Sequence, residues 1–228
     1  MSEMNILAID TSASLCSACV FDAGTGVEKG RAVMDLGKGH AEHVMAVIEE
    51  ALQTASLLFG AVHTIAIAVG PGSFTGVRVG VSAARGLALA LKIPAVGVTT
   101  PEAIAEEARG RFPYRPVLCV LGHSEPVCLA HFDTDGSVLD GPRLAASEEA
   151  IAIARADRPV LAGDAAERIA HAAGGSLDMG PLGATADILA YARVAARRPK
   201  AGEKPRPLYL RAPDARPQTG FALPLKGP

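Results

Sequence analysis

The residues whose types and spacing could do chemistry are densest in a glycine-rich run, Gly70 to Gly80, that follows an apolar segment, Thr64 to Val69. Its glycines and proline favour a tight turn that keeps side chains away from an approaching group. A helix that begins there would offer free N–H groups and a partial positive charge to a phosphate. The run lacks the lysine and spacing of a P-loop and does not match the dinucleotide fingerprint, so its phosphate signal is weak.

Nucleophilic and metal chemistry have little support in the sequence. Ser73 lies in the glycine run, but the run is not the Gly-x-Ser-x-Gly elbow. Cys16 and Cys19 have CxxC spacing, yet Cys119 and Cys128 do not form a second pair and no histidine couplet completes a zinc set. We therefore predict no catalytic residue, no metal site, and buried thiols in a reducing cytoplasm.

The helix predicted after the glycine run, Thr75 to Leu91, carries small residues at four-residue spacing, which places them on one face. Another backbone can approach such a face closely. Two alternatives stay open: the stripe packs on the protein's own sheet, or it packs on a helix of a second subunit. The residues of the stripe are Gly76, Gly80, Ala84 and Ala88.

Strands and helices alternate around this helix, which predicts an α/β fold. An apolar stripe predicts a helix from His40 to about Ser56, and Thr99 before Pro101 predicts a helix start. The segment Arg109 to Pro116 has glycine, two prolines and three arginines, so we predict two domains, 1–108 and 109–228. The second would hold strands at Val117–Leu121, Val127–Phe132 and Val160–Ala162, and helices from Ser147 and after Gly163-Asp164.

Composition excludes several partners. A net charge of −2 and a pI near 6.3 argue against a global field that steers the chain to nucleic acid or an anionic membrane. No apolar run approaches membrane length by inspection, and no leader is evident, so an intracellular soluble protein is expected. Residues 193–216 are basic and proline-rich, which is typical of a solvated, partly disordered end or, alternatively, of a direct nucleic-acid contact. The basic residues are Arg193, Arg197, Arg198, Lys200, Lys204, Arg206, Arg211 and Arg216, against Glu203 and Asp214.

Four segments together resemble the TsaB (YeaZ) family, the accessory subunits of bacterial tRNA threonylcarbamoyladenosine synthesis. They are Asp10-Thr11-Ser12, Gly39 to His43, Gly70 to Gly80, and Pro207 to Arg211. The resemblance implies a two-lobed actin-like (sugar kinase, Hsp70 and actin; ASKHA) fold. It also implies association with a catalytic paralogue, TsaD, and an ATPase, TsaE, and a homodimer when the chain is alone. ATP and Mg would be used by the partners, and tRNA would be reached through the complex.

The resemblance also allows the absence of catalysis to be checked. In the catalytic paralogue two histidines, one helical turn apart, hold a metal after the small-residue helix. Thr100 and Ile104 stand at those positions, and an isoleucine cannot coordinate a metal. His40 and His43 lie on a different helix, and we expect them at an interface instead of at a metal.

Nucleotide binding is implied by the same fold, which clamps ATP between lobes. Asp10, Thr11 and Ser12 retain the first polar loop, and Gly163 could approach an adenosine as a tight turn. The second polar loop differs, because Gly122-His123-Ser124 stands where the family usually has an Asp-Ala-Arg-like turn. An alternative role stays open for Asp10, which could instead cap or brace the strands beside it.

We therefore predict a non-catalytic subunit that activates a partner for threonylcarbamoyl transfer to N6 of the adenosine 3′ of the anticodon, in tRNAs that read codons beginning with A. The competing hypothesis is an enzyme that acts alone, either an ATP-dependent transferase or a glycoprotease-like metallopeptidase. The predicted partner interface combines the helix from His40 with the small-residue helix. Its residues are His40, His43, Val47, Gly76, Val77, Gly80, Ala84 and Leu87.

Overall fold

The computed structural model describes residues 4–198 and 204–210. The first sheet lies wholly within residues 5–99 and has five strands in the order β3-β2-β1-β4-β5. β1 to β3 form an antiparallel meander, whereas β1, β4 and β5 run parallel. The central strands β1 and β4 are buried along their whole length, as expected for strands covered on both faces. The strands are β1 Asn5–Asp10, β2 Leu15–Asp22, β3 Val27–Asp35, β4 Thr64–Gly70 and β5 Ala95–Thr99.

Two helices, α1 (His40–Thr54) and α2 (Phe74–Leu91), cover one face of this sheet. α1 buries an apolar stripe, as the sequence predicts. The N-terminus of α2 is capped by Ser73, whose side chain accepts a hydrogen bond from the Gly76 N–H. α2 therefore begins directly after the glycine turn that follows the carboxyl end of β4.

The second sheet has four strands in the order β8-β7-β6-β9, with the same change from antiparallel to parallel pairing. Two helices, α4 (Ser147–Asp157) and α5 (Ala166–Ala173), pack with its outer face. The two sheets thus share one order of elements, a meander followed by a parallel strand. The strands are β6 Val117–Leu121, β7 Val127–Phe132, β8 Val138–Ala145 and β9 Val160–Ala162.

A third core lies between the sheets. It joins the inner faces of both sheets to α3 (Thr100–Arg111) and α6 (Ile188–Ala196). α3 begins where Thr99 and Pro101 predict a helix start, and its N-terminus has a capping box in which Thr99 and Glu102 are bonded reciprocally. Tyr191 on α6 is completely buried in this core. One continuous apolar interior therefore connects the two halves of the chain.

Two details differ from the sequence prediction. α3 continues to Arg111, so the predicted boundary segment begins inside a helix. α6, which the pattern analysis did not predict, packs on β1 and β2 of the first sheet although it follows the second sheet in the chain. Residues 188–196 therefore lie against the first lobe, because the inner face of its sheet needs an apolar cover. The first sheet ends at Thr99 and the second begins at Val117, while the division into domains 1–108 and 109–228 stays a prediction.

α2 is long and apolar enough to cross a membrane by length and composition, with a mean hydropathy of 1.2 over 18 residues. The expectation that no run approaches membrane length is wrong on these measures. They are a weak indication, because a core helix satisfies them too. α2 buries Val77, Val81 and Ala84 and exposes Arg78 and Arg85.

All four cysteines are free and buried, which confirms that part of the sequence prediction. Burial is the main cause that raises the pKa of the Cys16 thiol to about 11 and that of Cys128 to about 12. These thiols are held in their neutral form and pack as small apolar side chains.

Candidate partner interface

An open groove runs between α1 and α2 on the outside of the first lobe. Apart from Arg78, its walls are short or apolar side chains, and Phe74 at one end is 38% exposed. A surface of this kind lets a second helix approach closely, because little side-chain volume separates the backbones. The residues that line it are Ala41, Val44, Phe74, Thr75, Arg78, Val79, Ser82 and Ala83.

The small-residue stripe lies on the opposite face of α2, against the protein's own sheet. A Cβ atom on Gly76 would lie 2.0 Å from the Thr11 carbonyl oxygen, and one on Gly80 would lie 2.4 Å from the Thr11 hydroxyl. Thr11 itself donates a hydrogen bond of 2.7 Å to the Gly76 carbonyl. These glycines let α2 lie directly on the loop after β1. Of the two alternatives for the small-residue stripe, packing on the protein's own sheet is therefore the correct one for Gly76 and Gly80.

The predicted interface residues must therefore be revised. His40, Val47, Val77 and Ala84 are also buried within the chain, and the His40 ring lies 3.2 Å from the Leu15 carbonyl oxygen. Together with Gly76 and Gly80 they have almost no surface to offer a partner. The two remaining residues of the prediction, His43 and Leu87, are half-buried.

A second set of small residues occupies the outer side of α2, and the sequence could have indicated it. Thr75, Ser82 and Gly86 are exposed, and a Cβ atom added to Gly86 would meet nothing within 4 Å. Since α2 has small residues on two faces, four-residue spacing alone does not show which face is free. The candidate interface is thus the groove and this outer side of α2.

An aromatic and guanidinium cluster at the end of the groove was missed by sequence reasoning. The Phe74 and Tyr209 rings lie 5.1 Å apart, and the Arg78 guanidinium carbon lies 3.8 Å from the centre of the Phe74 ring. The Arg78 Nε donates a hydrogen bond of 2.6 Å to the Tyr209 hydroxyl. Such stacking orients the guanidinium without neutralising its charge.

Tyr209 reaches this position because the segment 204–210 returns to the first lobe. The Leu208 N–H donates to the Val69 carbonyl at 2.8 Å, at the end of β4. Pro205 is buried beside Gly97 of β5. We call residues 204–210 the strap, because they cross the carboxyl ends of two strands.

Part of the predicted basic tail is bound within the molecule. Arg197 pairs with Glu106, while Arg198 pairs with Glu102 and donates to the Gly97 carbonyl. These contacts correct the expectation of a solvated end for this part. Three other basic residues of this segment lie outside the described residues: Lys200, Arg211 and Arg216. The acidic residues Glu203 and Asp214 lie outside them too.

The first polar loop, Asp10 to Ser12, is buried in the interior of the protein. Asp10 is 2% exposed, and its carboxylate accepts hydrogen bonds from the Ser12 N–H at 2.8 Å and from the Thr185 hydroxyl. The Thr185 hydroxyl also lies 2.7 Å from the Tyr191 hydroxyl. Burial raises the pKa of Asp10, and the hydrogen bonds from Ser12 and Thr185 oppose that shift. These contacts favour the bracing role of Asp10, and nucleotide binding by Asp10, Thr11 and Ser12 stays a prediction.

The turn at Gly163, the second candidate for nucleotide binding, packs closely against neighbouring backbone. Gly163 has a φ of +96°, and a Cβ atom there would lie 2.3 Å from the Val120 carbonyl oxygen. Its N–H donates to the Pro181 carbonyl at 2.7 Å. Glycine is needed at this position for close backbone packing, while an approach to adenosine stays a prediction. In the same region Asp164 accepts a hydrogen bond of 2.7 Å from the Gly122 N–H.

The two positions where the resemblance would require metal-binding histidines lie in α3. Thr100 donates a hydrogen bond of 2.9 Å to the Pro71 carbonyl, so it ties α3 to the glycine turn. Ile104 is completely buried between the sheets. Both side chains are thus used for packing within the protein.

The strand order, the repeated meander and the helices on both faces of the first sheet define a two-lobed α/β protein of the actin-like (ASKHA) class. A family model described as "TsaD: tRNA N6-adenosine threonylcarbamoyltransferase" matches residues 35–201. Since this is more than half of the chain, the protein belongs to that family.

Individual relatives refine this assignment and confirm the resemblance to TsaB (YeaZ). The Escherichia coli protein TsaB, named for tRNA threonylcarbamoyladenosine biosynthesis, is 36% identical over 106 residues, covering 46% of this chain and 44% of that protein. A tRNA N6-adenosine threonylcarbamoyltransferase of Geobacillus kaustophilus is 31% identical over 196 residues, covering 75% of this chain and 56% of that protein. The chain thus spans about half the length of the curated relatives it matches.

A solved structure shows the same fold. A Pseudomonas aeruginosa protein with similarity to the peptidase YeaZ superposes with a TM-score of 0.71 at 22% identity. The alignment covers 91% of this chain and all of that one. Both lobes described above are therefore part of a fold already seen in a solved structure.

Proposed function

We propose that this chain is a non-catalytic subunit that docks on a TsaD-type transferase through the α1–α2 groove. In the complex it would support threonylcarbamoyl transfer to N6 of the adenosine 3′ of the anticodon, in tRNAs reading codons that begin with A. The observation that carries the proposal is the groove itself, an exposed surface of short and apolar side chains on the outside of the first lobe. Relatives named for this tRNA modification support the choice of pathway.

The mechanism we propose is a population shift. Docking of α1 and α2 on matching helices of the partner favours one arrangement of the partner's lobes. The population of that arrangement rises only if it binds the groove more tightly than the other arrangements do. The groove is equally available to a second copy of the chain, so a homodimer is proposed when the partner is absent. ATP and Mg would be used by the transferase and by a TsaE-type ATPase in the cytoplasm, and tRNA would be reached through the complex.

The site residues support a role without catalysis. The Asp10 carboxylate and the Thr11 hydroxyl are hydrogen-bonded to other groups of the protein. Thr100 and Ile104 supply no imidazole where the resemblance to the transferase would require two. These residues stabilise the scaffold that presents the groove.

One observation favours the alternative that the chain binds nucleotide itself. The Ser12 hydroxyl is buried and has no hydrogen-bond partner among the described residues, and Ser12 lies beside the N-terminus of α2. Saturable ATP binding to the isolated chain, measured by calorimetry, would support this second candidate. A chain that acts only by docking gives no such signal.

The decisive experiment is threonylcarbamoyl transfer to tRNA by the reconstituted transferase and ATPase, with this chain present, omitted or alone. We expect turnover only when the chain joins its partners. Ser82→Tyr places a bulky ring in the groove and should abolish both association and activation. Ala152→Tyr, at an exposed position of α4, is the matched control and should retain both. Full activity without the chain, or turnover by the chain alone, would contradict the proposal.

A further inference from the structure

Arg78 at the end of the groove is held in place before any partner arrives. Its guanidinium lies over the Phe74 ring at 3.8 Å and is 5.4 Å from the centre of the Tyr209 ring. The Tyr209 hydroxyl accepts the hydrogen bond from Nε. The two terminal nitrogens of the guanidinium have no hydrogen bond to the described part of the chain and can donate to a further acceptor.

The charge of Arg78 has no acidic counterpart in the part of the chain that the structure describes. Other arginines of this protein do have such partners: Arg31 pairs with Glu28 and Asp187, and Arg143 pairs with Asp140 and Glu149. Arg78 is also one turn from the N-terminus of α2, whose backbone carries partial positive charge. Among residues 4–198 and 204–210, this end of the groove therefore presents a fixed positive charge without an acidic partner.

We propose that Arg78 receives a carboxylate of the TsaD-type partner in the docked complex. The inference rests on the proposed function and adds the charge that fixes the position of the partner along the groove. A planar guanidinium fits a carboxylate with two parallel hydrogen bonds. Because the two rings already restrict the side chain, little rotamer entropy is lost when the pair forms. Tyr209 acts as a positioning residue through Arg78, which links the strap to partner binding.

The test is the affinity of the full-length chain for the purified transferase, measured by calorimetry at two salt concentrations. Arg78→Gln should weaken binding about 10- to 100-fold, as expected for loss of a charge-assisted bidentate pair. It should also reduce the loss of affinity caused by added salt. Arg78→Lys keeps the positive charge but lacks the planar guanidinium that can donate two parallel hydrogen bonds, and it should bind with intermediate affinity. Tyr209→Phe keeps the ring and removes the hydroxyl, and should weaken binding by a few-fold at most.

The matched control is Arg85→Gln, since Arg85 is exposed on the same helix two turns away and outside the groove. Its affinity should stay within about two-fold of the wild type. Equal losses for Arg78→Gln and Arg85→Gln would overturn the proposal in favour of a general positive field. Thermal unfolding of each variant checks that the fold is retained, and Tyr209→Phe supplies a second reading if Arg78→Gln is unstable.

Failure of this inference differs from failure of the proposed function. If Arg78→Gln binds as the wild type while Ser82→Tyr does not bind, the groove is the interface and the carboxylate contact is wrong. If Ser82→Tyr also binds normally, or the wild type does not bind, the docking function is wrong. A loss confined to self-association of this chain would show that the carboxylate belongs to a second copy, which would likewise overturn the assignment to the transferase.

Discussion

Replacement of Gly76 by alanine is the sharpest test of how α2 lies on the first sheet. The added Cβ would be 2.0 Å from the Thr11 carbonyl oxygen, which is a backbone atom and cannot rotate away. Either α2 or the loop after β1 must move, and the buried 2.7 Å hydrogen bond from Thr11 to the Gly76 carbonyl would be strained or lost. Overpacking of this kind costs about 1–3 kcal/mol, and a broken buried hydrogen bond costs about 1–3 kcal/mol.

The gain in helix propensity from glycine to alanine is at most about 1 kcal/mol. The two costs together exceed that gain, so Gly76→Ala should lower the free energy of unfolding by about 1–5 kcal/mol. Gly86→Ala is the matched control, because it is the same change in the same helix with nothing within 4 Å of the new atom. It should raise stability by about 0.5–1 kcal/mol.

Urea unfolding followed by circular dichroism measures both variants on the same scale. The free energy of unfolding should fall for Gly76→Ala and rise for Gly86→Ala, although each variant adds a single methyl group. If Gly76→Ala unfolds at the wild-type urea concentration, α2 does not pack on Thr11 as described. In that case the small-residue stripe would again be available for a second subunit.

Two further predictions concern buried titratable groups. Because the pKa of Asp10 is raised in the folded chain, the unfolded state loses its proton first, and this residue's contribution to stability falls as pH rises above its ordinary pKa of 3.8. Asp10→Asn should therefore gain stability relative to the wild type as pH is raised in thermal unfolding series, and an unchanged difference from pH 4 to pH 8 would refute the raised pKa. The four thiols should be unreactive toward Ellman's reagent at pH 8 in the folded protein and should all react in guanidinium, because burial raises their pKa values; rapid labelling of the folded chain would contradict this.

The sequence was sufficient to predict most of the elements of the first lobe. The apolar stripe of α1, the continuous apolar run of β4 and the Thr99 capping box each leave a local pattern, and the structure has all three. Patterns of this kind depend on residues a few positions apart. The own-sheet packing of Gly76 does not, since it depends on Thr11, which is 65 positions earlier.

The interface residues predicted from the sequence lie on α1 and α2, but six of the eight are buried within the chain, and the interface itself stays a prediction. Spacing identifies which residues share a face, whereas the sheet decides which face is covered. The Arg78 cluster was beyond sequence reasoning for a related reason, because Tyr209 is 131 positions from Arg78. Nothing local to either residue indicates that the chain returns to the first lobe.

The position of α6 has a consequence for how the chain folds during synthesis. The first sheet is complete once residue 99 has left the ribosome, but its inner face is covered partly by Ile188–Ala196. While residues 100–196 are being synthesised, the apolar inner face of that sheet lacks one of its two helices. The first lobe therefore cannot reach its final stability as an independent unit during translation, although domains that emerge first generally fold first. A ribosome-stalled chain that ends before residue 188 should expose this face and bind chaperones. A stalled chain whose α6 and strap have both left the ribosome should not.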